Sequence, residues 1–277
     1  MIKGEKAVNK FRRGLESGKV MFGSNVNLVD YRICEMLGMA GFDYLWIDME
    51  HAVNDFQTME MDLIAAKSTG TASLVRASWN DIPFIKRVLE CGADAIVVPM
   101  INSVEECQKF IDNCIYPPEG KRGWGPYRAI NYGLTPIKEY AEQINKEICR
   151  FVQIETAQAV ECMDEMAKIP YLDGFVIGPM DLSSSVGELS LNLKDKKKTL
   201  ALIDTIVKKA RAAGKYLGIA TGADNIEELQ MWANLGVDFI TAGLDTAFIM
   251  KGAKNTLDNL NFAVQNKNVK KEYEKKF

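Results

Sequence analysis

The sequence predicts a (β/α)8 barrel, and three observations carry that prediction: a phrase repeated along the chain, eight short apolar runs, and amphipathic stretches between them. The phrase reads GMAGFDYLWIDM (38–49), ECGADAIVVPM (90–100) and NLGVDFITAG (234–243), with PYLDGFVIGP (170–179) as a looser fourth. In each, a helix-like pattern ends near Gly, an Asp or similar residue turns the chain, and a short β-rich run follows. That is a helix-to-strand junction used repeatedly. SGKVMFGSN (17–25), TASLVRAS (71–78), CRFVQIET (149–156) and GKYLGIAT (214–221) bring the apolar runs to eight. Their near-continuous hydrophobicity is what strands covered on both faces require. Amphipathic helical patterns over Ile82–Glu90, Val104–Cys114, Ala157–Lys168 and Lys198–Ala213 lie between runs. Eight strands alternating with helices over 277 residues suit the barrel. A doubly wound open sheet suits them less well, because the strand count is high and no Gly-x-Gly-x-x-Gly follows the first run.

Two further segments complete the chain. The long interruption Tyr116–Gly133, YPPEGKRGWGPYRAINYG, is rich in Gly, Pro and Arg; its length suggests function, with a rigid surface excursion as the plainer reading. Residues 255–277 begin as an amphipathic helix and end in the charge run NKNVKKEYEKKF, expected to be solvated and frayed. The expected organisation is one domain over 1–277, with a barrel core from about 14 to 254.

Composition narrows the partners. Hydrophobic residues make up 47%, enough for a large core, and the formal charge of -3 gives no field for nucleic acid or an anionic membrane. Small molecules are the expected partners. Charges run through the N-terminal MIKGEKAVNKFRRGLESGK, and no run approaches the roughly 20 apolar residues of a membrane span, so a cytoplasmic location is expected. Six cysteines (34, 91, 107, 114, 149, 162) form no Cys-x-x-Cys pair and read as buried, reduced thiols.

Barrel chemistry sits at the carboxyl ends of the strands. The polar residues that follow the apolar runs there are Asp48, Glu50 and His51; Arg76; Gln153 and Glu155; Asp181, through Gly178-Pro179; and Asp245, through Gly243. Each has a plainer reading: Arg76 at the surface, Asp181 as N-cap of Leu182–Ser185, Glu155 opening a helix, His51 as a loop residue. Four strand ends converging on one rim weaken those readings. Glu155 and Asp181 are hard oxygen donors without a Cys or second His beside them, a set that suits an octahedral Mg2+ or Mn2+ and leaves positions open for catalysis. Arg76 offers a fork of donors to a carboxylate or enolate oxygen. His51, the only histidine in the chain, is the expected proton shuttle, with Asp48 orienting its ring.

With these residues in place, the chain resembles the HpcH/HpaI family of class II, metal-dependent pyruvate aldolases, the 4-hydroxy-2-oxo-heptane-dioate and 2-dehydro-3-deoxyglucarate aldolase group. The resemblance runs from about residue 14 to 254. It is carried by GFDYLWIDMEHAVND (41–55), VRASWND (75–81), VVPMINSVEE (97–106), YPPEGKRGWGP (116–126), VQIET (152–156) and GFVIGPMDLS (174–183). It implies that His51 and Asp48 form the acid/base unit, that Arg76 binds pyruvate and steadies its enolate, and that Glu155 and Asp181 hold the divalent metal, Mg2+, Mn2+ or Co2+. It places Gln153 close to substrate and makes Gly178, Pro179, Met180 and Asp181 the turn that meets the substrate carboxylate, where Gly-Pro permits close backbone approach. The implied reaction is reversible cleavage of a 4-hydroxy-2-oxo acid to pyruvate and an aldehyde. The implied assembly is a homo-hexamer with exchanged C-terminal helices, which gives the apolar face of Thr256–Phe262 a destination.

A Schiff-base aldolase would want a lysine at a strand's carboxyl end, whereas Lys215 precedes the seventh run and Lys86 lies within a helical pattern. A lyase acting on a coenzyme A thioester, as in the citrate lyase β and malyl-CoA branch, would lack D-x-E-H in this form. A non-catalytic barrel would leave the convergent residues idle. The sequence departs from many relatives at LSSSVGE (182–188), and Ala220 and Thr221 leave room at the end of the seventh run without naming the aldehyde. Glu50 is expected to support the loop.

Overall fold

Each of the eight apolar runs forms a parallel strand: β1 (Met21–Val26), β2 (Tyr44–Asp48), β3 (Ala72–Arg76), β4 (Ala95–Val98), β5 (Cys149–Ile154), β6 (Gly174–Ile177), β7 (Tyr216–Ala220) and β8 (Phe239–Leu244). They close in chain order, β8 pairing with β1. The computed structural model describes residues 9–189 and 195–265; the charge run at 266–277 therefore lies outside the described residues.

The expected helices are present as α4 (Ile82–Glu90), α5 (Val104–Cys114), α7 (Ala157–Met166) and α9 (Lys197–Ala212). Around them lie α1 (Lys10–Glu16), α2 (Tyr31–Ala40), α3 (Phe56–Thr69), α6 (Ile137–Glu147), α8 (Pro179–Ser185), α10 (Ile226–Asn234) and α11 (Asp245–Gln265). Polar caps start several of them: Asp55, Ser103, Thr156 and Asn225 each accept the main-chain N–H three residues on. The interruption after α5 holds a 3-10 turn at Arg128–Gly133, and α6 follows it. That helix is legible as Ile137, Tyr140 and Ile144 at helical spacing, a signal masked by the Gly- and Pro-rich run before it.

The repeated phrase has a physical basis in its aspartates. Asp43, Asp94, Asp173 and Asp238 each precede an even-numbered strand. Their carboxylates accept the N–H of Phe22, Ser73, Arg150 and Leu217, at 2.8, 2.9, 2.8 and 2.7 Å, on the preceding odd-numbered strand. Their carbonyls accept from Ala72, Cys149, Tyr216 and Met21, at the start of the next odd-numbered strand. The four residues thus lace β1, β3, β5 and β7 into a ring at the amino end of the barrel.

Strand periodicity then sorts the side chains. Tyr44, Trp46, Leu74, Val97, Phe151 and Phe239 pack with Phe11 of α1, while Ile47, Val75, Ile96, Val152 and Ile177 pack with the helices. Phe11 meets Tyr44, Phe151 and Phe239 edge-on at 5.0, 5.7 and 5.4 Å between ring centroids, which plugs the barrel from below. Gly218 makes room for this plug, since a Cβ there would lie 2.0 Å from the Phe239 ring.

Candidate active site

The same alternation carries the inward row upward to polar residues. Asp48 continues Tyr44 and Trp46, Arg76 continues Leu74, and Gln153 and Glu155 continue Phe151. Asp48 and Arg76 are direct register partners across β2 and β3. Apolar rings therefore floor a mouth whose wall is charged.

Adjacency fixes the first unit. Arg76 donates from Nε to Asp48 Oδ1 at 2.9 Å and from a terminal nitrogen to Oδ2 at 2.6 Å, a bidentate pair with Asp48 2% exposed. Its guanidinium carbon lies 5.5 Å from the Trp46 ring centroid, so the floor also holds the cation. The other terminal nitrogen is 2.9 Å from Glu50 Oε2, near in distance but off the N–H line, because that oxygen makes no hydrogen bond. Asp48 also accepts the main-chain N–H of Glu50 (3.0 Å) and His51 (3.3 Å) and the Asn27 amide (3.3 Å).

This arrangement corrects the expected Asp48–His51 contact. The Asp48 carboxylate is occupied by Arg76 and reaches His51 at its main-chain N–H. The imidazole, 60% exposed at the mouth, instead has Nε2 3.6 Å from Glu50 Oε2. Glu50 is thus the carboxylate beside the ring, and it bridges histidine and arginine. Burial pushes its carboxyl above the usual range, opposed by Arg76 and reinforced by Asp48 and Asp181.

Glu155 forms the second unit. It is 2% exposed; Oε1 accepts the Met100 N–H at 2.5 Å and Oε2 accepts the Gln153 amide at 2.5 Å. Met100 reaches it from a left-handed backbone, φ 55°, unusual for a non-glycine residue. Burial, reinforced by the charges of Glu50 and Asp181, pushes the Glu155 carboxyl up to about 7 against these hydrogen bonds. Gly178 passes so close that a Cβ would lie 2.9 Å from Gln153 Nε2 and 3.2 Å from Glu155 Cβ, as expected of the Gly-Pro turn. Pro179 opens α8 without a side-chain cap, Met180 is exposed, and Asp181 falls in the exposed first turn. Asp181 is thus inside the helix and not its N-cap.

Three acidic side chains from β2, β5 and β6 therefore repel one another across the mouth. Among the described residues no group of three His, Cys, Asp or Glu side chains is placed to hold a metal ion. Sequence reasoning overlooked Asn27 and Met100: the first follows a run taken to end at 25, and the second acts through its main chain. Asp245 proves structural. It is buried, and its carboxylate accepts the N–H of Asn27 and Leu28, each at 2.8 Å, which fixes the loop bearing the Asn27 amide.

The family model described as HpcH/HpaI aldolase/citrate lyase matches residues 22–251. The chain is 32% identical over 248 residues to the hydroxypyruvate/pyruvate aldolase of Roseobacter denitrificans, covering 90% of this chain and 95% of that protein. It is 34% identical over 246 residues to the 4-hydroxy-2-oxo-heptane-1,7-dioate aldolase of Salmonella dublin, covering 89% and 92%. A solved HpcH/HpaI aldolase from Desulfitobacterium hafniense superposes with a TM-score of 0.83 at 26% identity, covering 90% of this chain and 95% of that one.

Proposed function

We propose, from the premise that this chain belongs to the HpcH/HpaI aldolase/citrate lyase family, that it is a divalent-metal-dependent aldolase cleaving a 4-hydroxy-2-oxo acid to pyruvate and an aldehyde. The observation that carries the reading is the carboxylate cluster: Glu155 is buried, and its carboxyl is pushed up to about 7 by that burial together with the charges of Glu50 and Asp181. A cation there would relieve both the repulsion and the desolvation. Hard oxygen donors suit Mg2+ or Mn2+, with Co2+ as a further candidate, and Glu155 and Asp181 would hold the ion. When bound, such an ion supplies Lewis-acid stabilisation for the charge that develops as the carbon–carbon bond breaks.

The chain's own groups do the rest. Arg76, steadied by Asp48 and Trp46, presents a fixed positive charge to the enolate oxygen of pyruvate. The uncapped first turn of α8, with Gly178 and Pro179 before Met180 and Asp181, receives the substrate carboxylate. Gln153 orients Glu155. His51 takes the proton of the 4-hydroxyl during cleavage and returns it during condensation, with Glu50 beside its ring.

We place the enzyme in the cytoplasm, where its buried thiols Cys34, Cys107, Cys114 and Cys149 stay reduced; among the described residues no helix is long and apolar enough to cross a membrane. We further propose a hexamer with exchanged C-terminal helices, supported by the exposure of Ile249, Met250, Leu257 and Leu260 on α11. Light scattering should give six chains, and a monomer would refute this.

The activity is tested by pyruvate release from 4-hydroxy-2-oxo acids differing in aldehyde length and charge, with and without chelator. Release that requires metal and is lost in Asp181→Ala supports the proposal. Full release by that variant after chelation would overturn it.

A further inference from the structure

The mechanism leaves the YPPEGKRGWGP segment unused, and it encloses a cavity of about 730 Å3 against α6. Its walls are aromatic and prolyl: Tyr116, Pro117, Pro118, Trp124 and Tyr171. Arg122 is part of the same wall and is 1% exposed, yet none of its three guanidinium nitrogens has a hydrogen-bond partner among the described residues. The guanidinium carbon lies 4.3 Å from the centroid of Tyr116, whose ring packs 4.6 Å from that of Trp124. Glu90 feels the Arg122 charge but lies beyond ion-pair distance, and its own Oε1 is without a partner. Arg150, also 1% exposed, lies behind the lining, 6.0 Å from the Tyr171 ring, and is engaged elsewhere: it donates to the Ile148 carbonyl at 2.8 Å and faces Asp173 at 4.0 Å.

Buried guanidinium donors are normally satisfied, because leaving them without acceptors forfeits hydration with nothing in return. The three such nitrogens of Arg122, in the wall of one cavity, mark a place prepared for an acceptor. The ionised walls are Lys121, Arg122 and Lys146 against Glu119 and Glu142; Asp112 pairs with Lys121 at 2.8 Å and Lys138 faces Glu142 at 4.0 Å, which leaves Arg122 and Lys146 against Glu119, a balance that suits one negative charge better than two. The Glu119 carboxylate is already engaged by Asn145. A guanidinium fork matches a carboxylate, and flat apolar walls match a flat apolar body. The volume is that of an ordinary small-molecule site.

We infer that this cavity is a second ligand site, taking a monoanionic carboxylate with a flat apolar body whose carboxylate pairs with Arg122. It is separate from the aldolase chemistry. Tyr171 of the lining precedes β6, and Arg150 behind it is the second residue of β5, at the amino ends of the strands whose carboxyl ends lead to Glu155 and Asp181. Arg150 and Glu155 are five residues apart, about 16 Å along a strand. The inference stands whether or not the proposed reaction is correct.

The test is equilibrium titration of the full chain with benzoate and 3-phenylpropionate, read by tryptophan fluorescence and by calorimetry. Benzyl alcohol, inorganic phosphate and pyruvate serve as comparison ligands. The expected result is saturable binding of the aromatic carboxylates at one site per chain, not displaced by pyruvate, with a fluorescence change lost in Trp124→Phe. Arg122→Lys keeps the charge but loses the fork, and should weaken binding roughly tenfold. Ala141→Trp fills the cavity from an exposed position on α6 and should abolish binding while sparing the fold and pyruvate release. No saturation up to about 10 mM, where binding is weaker than the millimolar scale of about 4 kcal/mol, would overturn the inference. So would displacement by pyruvate, equal binding of benzyl alcohol or phosphate, or undiminished binding in Ala141→Trp.

Discussion

Replacing Glu155 by glutamine should stabilise the metal-free protein while destroying the site. The carboxyl has both oxygens hydrogen-bonded, yet burial and the charges of Glu50 and Asp181 raise it from 4.5 to about 7. In the unfolded chain it ionises near 4.5; in the folded chain it stays protonated until about pH 7. Its ionisation therefore costs folding stability progressively between those values. The cost is absent below pH 4.5 and complete above 7, at 1.36 kcal/mol per tenfold change in proton affinity, or about 3 kcal/mol. An amide carries no such cost. It can keep the Met100 N–H, and Gln153, whose Oε1 has no partner, can turn to accept from the new NH2 group. Urea unfolding in chelator, at one protein concentration, should show Glu155→Gln more stable than wild type by about 3 kcal/mol at pH 8, falling towards zero near pH 4.5. In a chain of this size that corresponds to a midpoint roughly 6 to 12 °C higher. Taking the difference between variants removes Asp62, a second buried acid pushed up to about 7 by burial. A variant equal to or weaker than wild type at pH 8 would refute the reasoning.

Three other outcomes follow from the geometry. Arg76→Lys loses the fork that matches Asp48 and should cut pyruvate release at least about 100-fold, measured with a coupled lactate dehydrogenase assay. His51→Ala should slow aldol cleavage by roughly 10²- to 10⁴-fold without changing thermal stability, because the ring is exposed and its main-chain bond to Asp48 survives. Asp245→Ala strips acceptors from Asn27 and Leu28, so it should lower unfolding free energy by roughly 2 to 3 kcal/mol in denaturant titration and also lower activity by loosening the Asn27 contact to Asp48.

The barrel was legible because each strand is apolar on both faces and each helix-to-strand junction repeats a Gly and an Asp. The Asp is laced into both neighbouring odd-numbered strands, which explains why the phrase recurs. The rim was legible for a related reason: a two-residue period carries Tyr44 and Trp46 to Asp48, and Phe151 to Gln153 and Glu155. Contacts that depend on a turn were not legible. Asp48 and His51 are three apart, a spacing that suggests a pair, but register sets Arg76 opposite Asp48, and the turn delivers Glu50 to the imidazole. Main-chain donors such as Met100 carry no residue-type signal. The helix α6 was obscured by the Gly-Pro-Arg run before it, and the cavity they share was invisible without the fold.

The proposed chemistry requires this mouth to form and stabilise the enolate of pyruvate with a divalent ion. Exchange of the pyruvate methyl protons for deuterium, followed by NMR, tests it without knowledge of the aldehyde. The expected result is exchange that needs Mg2+ or Mn2+, stops on chelation, and is lost in both Glu155→Ala and Arg76→Ala. Exchange that persists undiminished in chelator, or in either variant, would contradict it.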